Sequence, residues 1–434
     1  MTLTITDLPD EVLGQIFKNV FQIYSPKFVS PPTAGEVERM NKWRLGERTR
    51  LVTTMRLVCR KWAHWLYKGH LYDTLSFQSS KKSSAFTNQL ALAYYSNRLR
   101  EIPQCRYLKI PQLWTGWQPP PPGKTRYPDF VCLLDRFYKT IVALDIQAVN
   151  LFTLHMLTIG RIGQLEKLRF LRLRIDFTTR GKITFRGRSL AADSIPNHYP
   201  TDSECLLALL REAKQVVCLD LTDFRPVCSP GSIAENLGDC QFPGIKALKL
   251  DVKAGENLTH VGIERIATRL PNLTVLWIGG NGHEESQILV PLFKILREQL
   301  EEVFFNDARV MRYILDLRFP KLRVLRLHEW GNNLNDYSRK PMLAEAPLEV
   351  LALHCYPFRK RPNISLSAPF QALPHLRRLE FHEASKFPPP SRFKKSCERH
   401  GLECVFRDHD DIGEDGRLIL DFDSPSVLRN QFMI

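Results

Sequence analysis

Several common signatures are missing from this chain. No apolar run approaches the ~20 residues that a membrane-crossing helix requires, and the first seventeen residues, MTLTITDLPDEVLGQIF, carry acids where a secretory leader would carry Lys or Arg. That start argues against secretion. The 10 cysteines contain no C-x-x-C pair; in a chain this long they read as small buried hydrophobes in a reducing compartment. The three N-x-[ST] sequons at Asn257, Asn272 and Asn363 are then chance matches.

Catalytic and cofactor motifs are equally sparse. PPPPGKT (119–125) ends like a phosphate-binding loop, but Gln118 stands where the first glycine is required, and the prolines supply no N–H groups to cradle phosphate. GGNGH (279–283) lacks the flanking pattern of a dinucleotide site and reads as the bend after a strand. Cys397, His400 and Cys404 are loosely spaced, with no second pair to complete a zinc site. No G-x-S-x-G or Cys/His nucleophile signature occurs. The expectation is a protein without catalytic residues, cofactor or metal.

What the chain does contain is ordinary for a folded protein: 434 residues, 44% hydrophobic and 25% charged. Lys and Arg exceed Asp and Glu by 61 − 46 = 15. A basic surface suits acidic protein partners or nucleic acid, and charge alone does not choose between them.

The decisive pattern is a repeat. The motif L-x-x-L-x-L, with Ile, Val or Phe substituting, recurs from IVALDI (141–146) to a degenerate LECVFR (402–407), with CRYLKI (105–110) fitting at the front. First positions from 141 are separated by 27, 48, 29, 28, 27, 22, 26, 28 and 26 residues. Most intervals match the ~20–29 residues of leucine-rich repeats. Pro243, Pro271, Pro320, Pro347 and Pro374 each fall one or two residues before a motif, where proline stops an incoming helix. TDSECLLALL carries Thr201 and Glu204 at capping-box spacing, with Cys205, Leu206, Leu209 and Leu210 on one face. Val310, Ile314 and Leu317 form a second helical face. One strand plus one helix in ~27 residues is a βα unit, and stacked units give a curved parallel sheet with helices outside. A doubly wound α/β domain also alternates strands and helices, but its units are longer. The repeat asparagine appears only at Asn281, so the solenoid should be irregular.

The first eighty residues differ. DLPDEVLGQIFKNV (7–20) is a short amphipathic helix with Val12, Leu13, Ile16, Phe17 and Val20 on one face. MRLVCRKWAHWL is a second, with Met55, Val58, Cys59, Trp62, Trp65 and Leu66 on one side. L-P-x-E-x-L-x-x-I-F followed by R-x-V-C-R-x-W resembles an F-box, through Leu8, Pro9, Glu11, Leu13, Ile16 and Phe17, then Arg56, Val58, Cys59, Arg60 and Trp62. With the repeats behind it, the chain resembles F-box proteins with C-terminal leucine-rich repeats of the fungal type. The segment from Ser25 to Arg50 is longer than that family carries between these helices. The implied organisation is an F-box-like helical domain over 1–76 with an insertion near 25–50, a solenoid over 77–410, and a tail over 411–434.

A helical unit this small cannot bury all its aromatic and aliphatic side chains, and an apolar face left over is a partner surface. The resemblance implies the partner: the Skp-family adaptor, and through it the cullin, of an SCF-type cullin–RING ubiquitin ligase. Leu8, Pro9, Leu13, Ile16, Phe17, Val58, Cys59 and Trp62 would bear the contact. Alternatively, these residues only cap the solenoid. A receptor of this kind needs no catalytic group, because ubiquitin transfer belongs to other subunits. It would work in the cytoplasm, the nucleus or both, and no membrane is involved.

In such a sheet the Leu positions point toward the helices and the intervening residues line the concave surface. One row runs Lys109, Asp145, Arg172, Asp220, Lys249, Trp277, Phe304, Arg326, Ala352, Glu380; the next includes Arg174, Asn306, His328, His354 and His382. Arg172, Arg174, Trp277, Phe304, Arg326, His328, His354 and His382 are the candidate target-binding residues. Trp277 and Phe304 would be an apolar hot spot, unless an inserted loop covers them. The three histidines, ~4.8 Å apart on successive strands, would join that surface or form a solvated polar row. Segment 111–128, with Trp114 and Trp117, and the long 178–200 interval, with Arg180, Lys182, Arg186 and Arg188, are candidate walls or charged loops. The acidic stretch DHDDIGED (408–415) would neutralise nearby bases or stay mobile. Mixed signs along the concave row speak against nucleic acid. An interaction scaffold outside ubiquitin ligases is the alternative.

Overall fold

A computed structural model describes residues 74–77, 79–96, 102–115, 124–149, 152–175, 184–185, 188–189, 202–222, 224, 240–251, 260–279, 285–331, 334–355, 357, 372–382, 384 and 388–407. Before residue 74 it describes positions 9, 12, 16, 54, 55, 62, 66 and 72. Two compact units are present: Met1–Leu75 with Leu90–Arg106 and Asp410–Ile434, and Ser76–Gln89 with Tyr107–His409.

The strands are β1 (Thr74–Ser76), β2 (Tyr107–Leu113), β3 (Ala143–Ala148), β4 (Phe170–Ile175), β5 (Thr184–Phe185), β6 (Arg188–Ser189), β7 (Cys218–Asp220), β8 (Ala247–Asp251), β9 (Val275–Gly279), β10 (Glu302–Asp307), β11 (Val324–Glu329), β12 (Val350–His354), β13 (Arg378–His382) and β14 (Glu403–Arg407). Twelve form one sheet in the order β1-β2-β3-β4-β7-β8-β9-β10-β11-β12-β13-β14, and β5 and β6 pair separately as an antiparallel hairpin. Within the twelve-stranded sheet every pairing from β2 to β14 is parallel. Strand order follows chain order throughout, unlike a doubly wound sheet, whose order reverses at a switch point. With right-handed crossovers, a sequential parallel sheet places all its connections on one face. The chain is an α/β repeat protein.

Each strand from β3 to β13 in the main sheet begins two residues after the first apolar position of its motif. The first Leu instead closes the preceding turn: the N–H groups of Leu168, Leu273, Leu322 and Leu376 donate to carbonyls three residues earlier, Leu165, Leu270, Phe319 and Leu373. A backbone ladder then links the units. The amide of Arg169 donates to the carbonyl of Val142, Val217 to Arg169, Lys246 to Val217, Thr274 to Lys246, Glu301 to Thr274, Arg323 to Glu301, Glu349 to Arg323, Arg377 to Glu349 and Glu403 to Arg377, all at 2.8–2.9 Å. Side chains reinforce it where the asparagine ladder is absent. Gln215 Nε2 reaches the carbonyl of Leu165 at 2.9 Å, Gln299 Nε2 that of Leu270 at 3.1 Å, and Asn272 Nδ2 that of Pro243 at 3.0 Å.

The helices between strands are Tyr127–Phe137, Met156–Gly163, Asp202–Glu212, His260–Arg269, Val290–Leu296, Leu334–Tyr337, Pro341–Ala344 and Ser391–Arg399, preceded by Ser80–Tyr95. Cys205, Leu206, Leu209 and Leu210 are buried on one face, as their spacing requires. The expected α-helix through Val310, Ile314 and Leu317 is corrected. Ala308–Tyr313 is a 3-10 helix, started by the Asp307 carboxylate accepting from the Arg309 amide. The 22-residue interval leaves too little chain for full α-turns, and a 3-10 segment rises more per residue. The segment 111–128 is also not a loop from its start, because β2 continues through Pro111 to Leu113, which bridges to Thr125.

The core lies under the Leu positions. Leu108, Leu144, Leu171, Leu248, Leu276, Val303, Leu325, Leu351 and Leu379 are buried in one continuous row, with Phe130, Phe293 and Phe319 from the connecting segments also buried. Each fully buried aliphatic or aromatic side chain contributes about 1.5–3 kcal/mol. Among the described residues, no helix is long and apolar enough to cross a membrane.

Candidate interaction surface

Alternation along each strand turns the intervening residues to the face opposite the Leu row. Register brings them into line as the spacing requires: Lys109 pairs with Asp145, Asp145 with Arg172, Arg172 with Asp220, Asp220 with Lys249, Lys249 with Trp277, Trp277 with Phe304, Phe304 with Arg326, Arg326 with Ala352 and Ala352 with Glu380.

The row is covered and paired within itself. At one end the Asp145 carboxylate, fully buried, accepts Arg174 Nη2 on both oxygens at 2.9 Å and Arg174 Nε at 3.2 Å. Tyr107 donates its hydroxyl to the same carboxylate at 3.2 Å, and Arg172 approaches it at 3.9 Å. Burial first, and the Asp145 charge second, push the Tyr107 phenol well above its ordinary value. Arg172 also lies 3.5 Å from Asp220, which Lys249 approaches at 3.8 Å. Thr222 gives both its amide and its hydroxyl to Asp220, and the Lys249 ammonium stands 5.6 Å from the Phe170 ring centre. Burial pushes the neighbouring Cys218 thiol up to about 12.

At the other end Arg326 holds Glu302 at 2.6 Å and reaches Glu380 at 3.8 Å. Arg378 lies 3.7 Å from Glu380 and 2.7 Å from Glu403, and His382 Nε2 lies 3.6 Å from Glu380. The His328 and His354 rings are 4.1 Å apart, His382 follows His354 in register, and the Trp330 indole donates to the His354 carbonyl at 2.8 Å. Between the two ends Trp277 and Phe304 stack face to face.

These positions revise the expected site. Trp277 is 6% exposed and Phe304 8%, so they form a covered internal stack and not an open hot spot. His354 and His382 are buried as well, which excludes a solvated polar row. Arg172, Arg174 and Arg326 are half-buried, and their charges already face carboxylates. His328 and Asn306 are half-buried at the outer edge of the surface. Sequence reasoning missed the pairing: Asp145, Asp220 and Glu380 lie in the same row as Arg172 and Arg326 with legible opposite charges, and Glu302 lies two residues before Phe304 on the same strand.

Of the expected adaptor contacts, Pro9 is exposed and Ile16 half-buried, with Val12 exposed beside them. Trp62, at 8% exposure, is buried, and so is Leu66 one helical turn on, as the capping alternative has it. Leu8, Leu13, Phe17, Val58 and Cys59 lie outside the described residues, as do Trp117, Arg180, Lys182, Arg186 and the 408–415 stretch. Among the described residues, no group of His, Cys, Asp and Glu is arranged to hold a metal ion.

No family model matches the chain, and no curated protein does. Among solved structures, a chain in the crystal structure of the Rad7 and Elc1 complex in yeast aligns over 82% of this chain and 94% of its own length, at 11% identity and a TM-score of 0.23. A likeness that slight carries no conclusion about partners or activity.

Proposed function

We propose that the chain is the non-catalytic substrate-recognition subunit of an SCF-type cullin–RING ubiquitin ligase, docking a Skp-family adaptor through its F-box-like N-terminus and a target protein through the repeat sheet. The observation that carries this reading is the paired motif, LPDEVLGQIF then RLVCRKW, in front of a sequential parallel repeat sheet. Exposure of Pro9 and Val12 supports an outward-facing first helix. Repeat sheets suit recognition because successive strands display side chains at fixed spacing over a long surface. With the concave row covered, the target would meet its outer edge, where Asn306 and His328 remain half-open.

The test is affinity purification of the full chain. Adaptor and cullin should both be recovered, and the double variant Pro9→Ala with Ile16→Asp should lose both while its circular dichroism and melting are unchanged. Adaptor without cullin would instead support an interaction scaffold outside ubiquitin ligases, and recovery of both by the double variant would refute the docking assignment. Asn306→Ala with His328→Ala should lose proteins that accumulate on proteasome inhibition yet keep the adaptor; equal capture would move the target surface elsewhere.

A further inference from the structure

The loosely spaced Cys397, His400 and Cys404 resolve into something other than a metal site. Cys397 lies in the last turn of helix Ser391–Arg399, and Cys404 is the second residue of β14. The connection is a tight helix stop: Gly401 adopts φ +67°, and the Leu402 amide donates to the Cys397 carbonyl at 2.9 Å, the six-to-one bond of a Schellman turn. That turn folds β14 directly back along the helix. Cys404 pairs in register with Leu379, a buried member of the core-facing row, so its sulfur faces the helix layer. Cys397, fully buried in the last helical turn, and Cys404 therefore both lie at the seam between that helix and β14. His400 takes no part, because its Nδ1 lies 2.9 Å from the Ser396 carbonyl oxygen.

We propose that Cys397 and Cys404 are an oxidation site, a thiol pair that peroxide converts to a disulfide clamping the last helix onto the last strand of the sheet. The two sulfurs differ in access: Cys397 is fully buried, whereas Cys404 is part-exposed. The Cys404 thiolate attacks one peroxide oxygen, the O–O bond breaks, and a sulfenic acid forms with release of water. The Cys397 sulfur then attacks Cys404 Sγ, the S–S bond forms, the S–O bond breaks, and a second water leaves. In sum, two thiols give up two electrons and two protons to one hydrogen peroxide, yielding one disulfide and two waters. In a reducing compartment the pair rests as thiols, and the disulfide is transient.

The protonation chemistry sets the rate. Burial pushes the Cys397 thiol up to about 12. Burial also raises the Cys404 thiol, against the opposing influence of the Cys397 side chain and the nearby Lys394 charge. Because the thiolate is the nucleophile, oxidation is slow at neutral pH and still accelerates at pH 9, where an ordinary thiol, with a pKa of about 8.5, is levelling off.

The experiment exposes the folded full chain to hydrogen peroxide, blocks remaining thiols by alkylation, and maps tryptic peptides. Cleavage after Lys395, Arg399 and Arg407 puts the two cysteines on separate peptides, 396–399 and 400–407. The expected result is one linked pair, 2 Da lighter than its separate parts, that dithiothreitol releases. Cys397→Ser should leave Cys404 as a sulfenic acid captured by dimedone. Should that variant fail to fold, Cys404→Ser keeps the buried thiol and should leave Cys397 unoxidised. Three outcomes each overturn the proposal: Cys404 advancing to sulfinic or sulfonic acid without a link, a link to a different cysteine, or both thiols remaining alkylatable.

Discussion

Trp277 and Phe304 stack with ring centroids 5.1 Å apart and planes within 4° of parallel, on the adjacent strands β9 and β10. Both lie on the sheet face away from the Leu core, yet both are buried. They lie between an acidic–basic cluster on β3 to β8 and another on β10 to β14, and the middle of this face is largely buried. Truncating either ring removes a large buried side chain. Trp277→Ala and Phe304→Ala should each lower stability by about 3–5 kcal/mol. The double variant should fall short of the sum by about 0.5–1.5 kcal/mol, the direct worth of the stack. Denaturant midpoints of the two single variants and the double variant measure this, and a loss below 1 kcal/mol in both single variants would show the rings to be peripheral.

Asp145 is the anchor of the first cluster. Its carboxylate is fully buried and holds Arg174 with three hydrogen bonds. Removing one partner strands the other charge away from water. Asp145→Asn should cost about 3–5 kcal/mol, far more than a surface pair. Replacing Arg174 together with Asp145 by apolar residues of similar volume should recover much of that loss, and chemical denaturation of the two variants separates a buried pair from a decorative one.

Glu349 and Arg323 give the opposite case, a pair open to solvent at 2.9 Å. The hydrogen bond from Arg323 is the main cause of the lowered Glu349 carboxyl. A depressed folded-state value means the contribution is present above the unfolded carboxylate range and is lost as pH falls through the folded one. Because Arg323 is largely exposed, the contribution should stay below about 1 kcal/mol. Glu349→Gln should therefore be slightly less stable than the natural chain at pH 7, with the difference shrinking as pH falls through the lowered Glu349 range, as read by melting at low salt.

Gly244 follows the proline that precedes β8, and there successive turns meet backbone to backbone. A methyl group on it would lie 2.7 Å from the Lys214 carbonyl oxygen, too close for any real Cβ. Gly244→Ala should destabilise the chain by about 1–3 kcal/mol, the usual cost of overpacking. Gly160, inside helix Met156–Gly163, has open space around the same added atom. Gly160→Ala should be stabilising by about 0.5–1 kcal/mol, since alanine loses less chain entropy in a helix. Opposite signs in the two melting temperatures are the check; matching signs would refute the tight turn.

The amino-acid sequence alone determined where the repeat strands lie, their order, their register and the face each of their side chains takes. A hexamer with Leu at fixed intervals, repeated every ~27 residues, has only one way to stack so that every Leu is buried, and each main-sheet strand from β3 to β13 duly begins two residues into its motif. Even the in-line placement of Asp145, Arg172, Asp220 and Lys249 was legible from that rule. Only the tertiary structure decided that this second face is covered, that Arg174 and Arg326 are bound to carboxylates 29 and 24 residues away in the chain, and that Trp62 is buried. The physical reason is range. Periodicity reports which side of its own strand a residue occupies, a local property of backbone geometry. Burial and ion pairing depend on what the rest of the chain lays over that side.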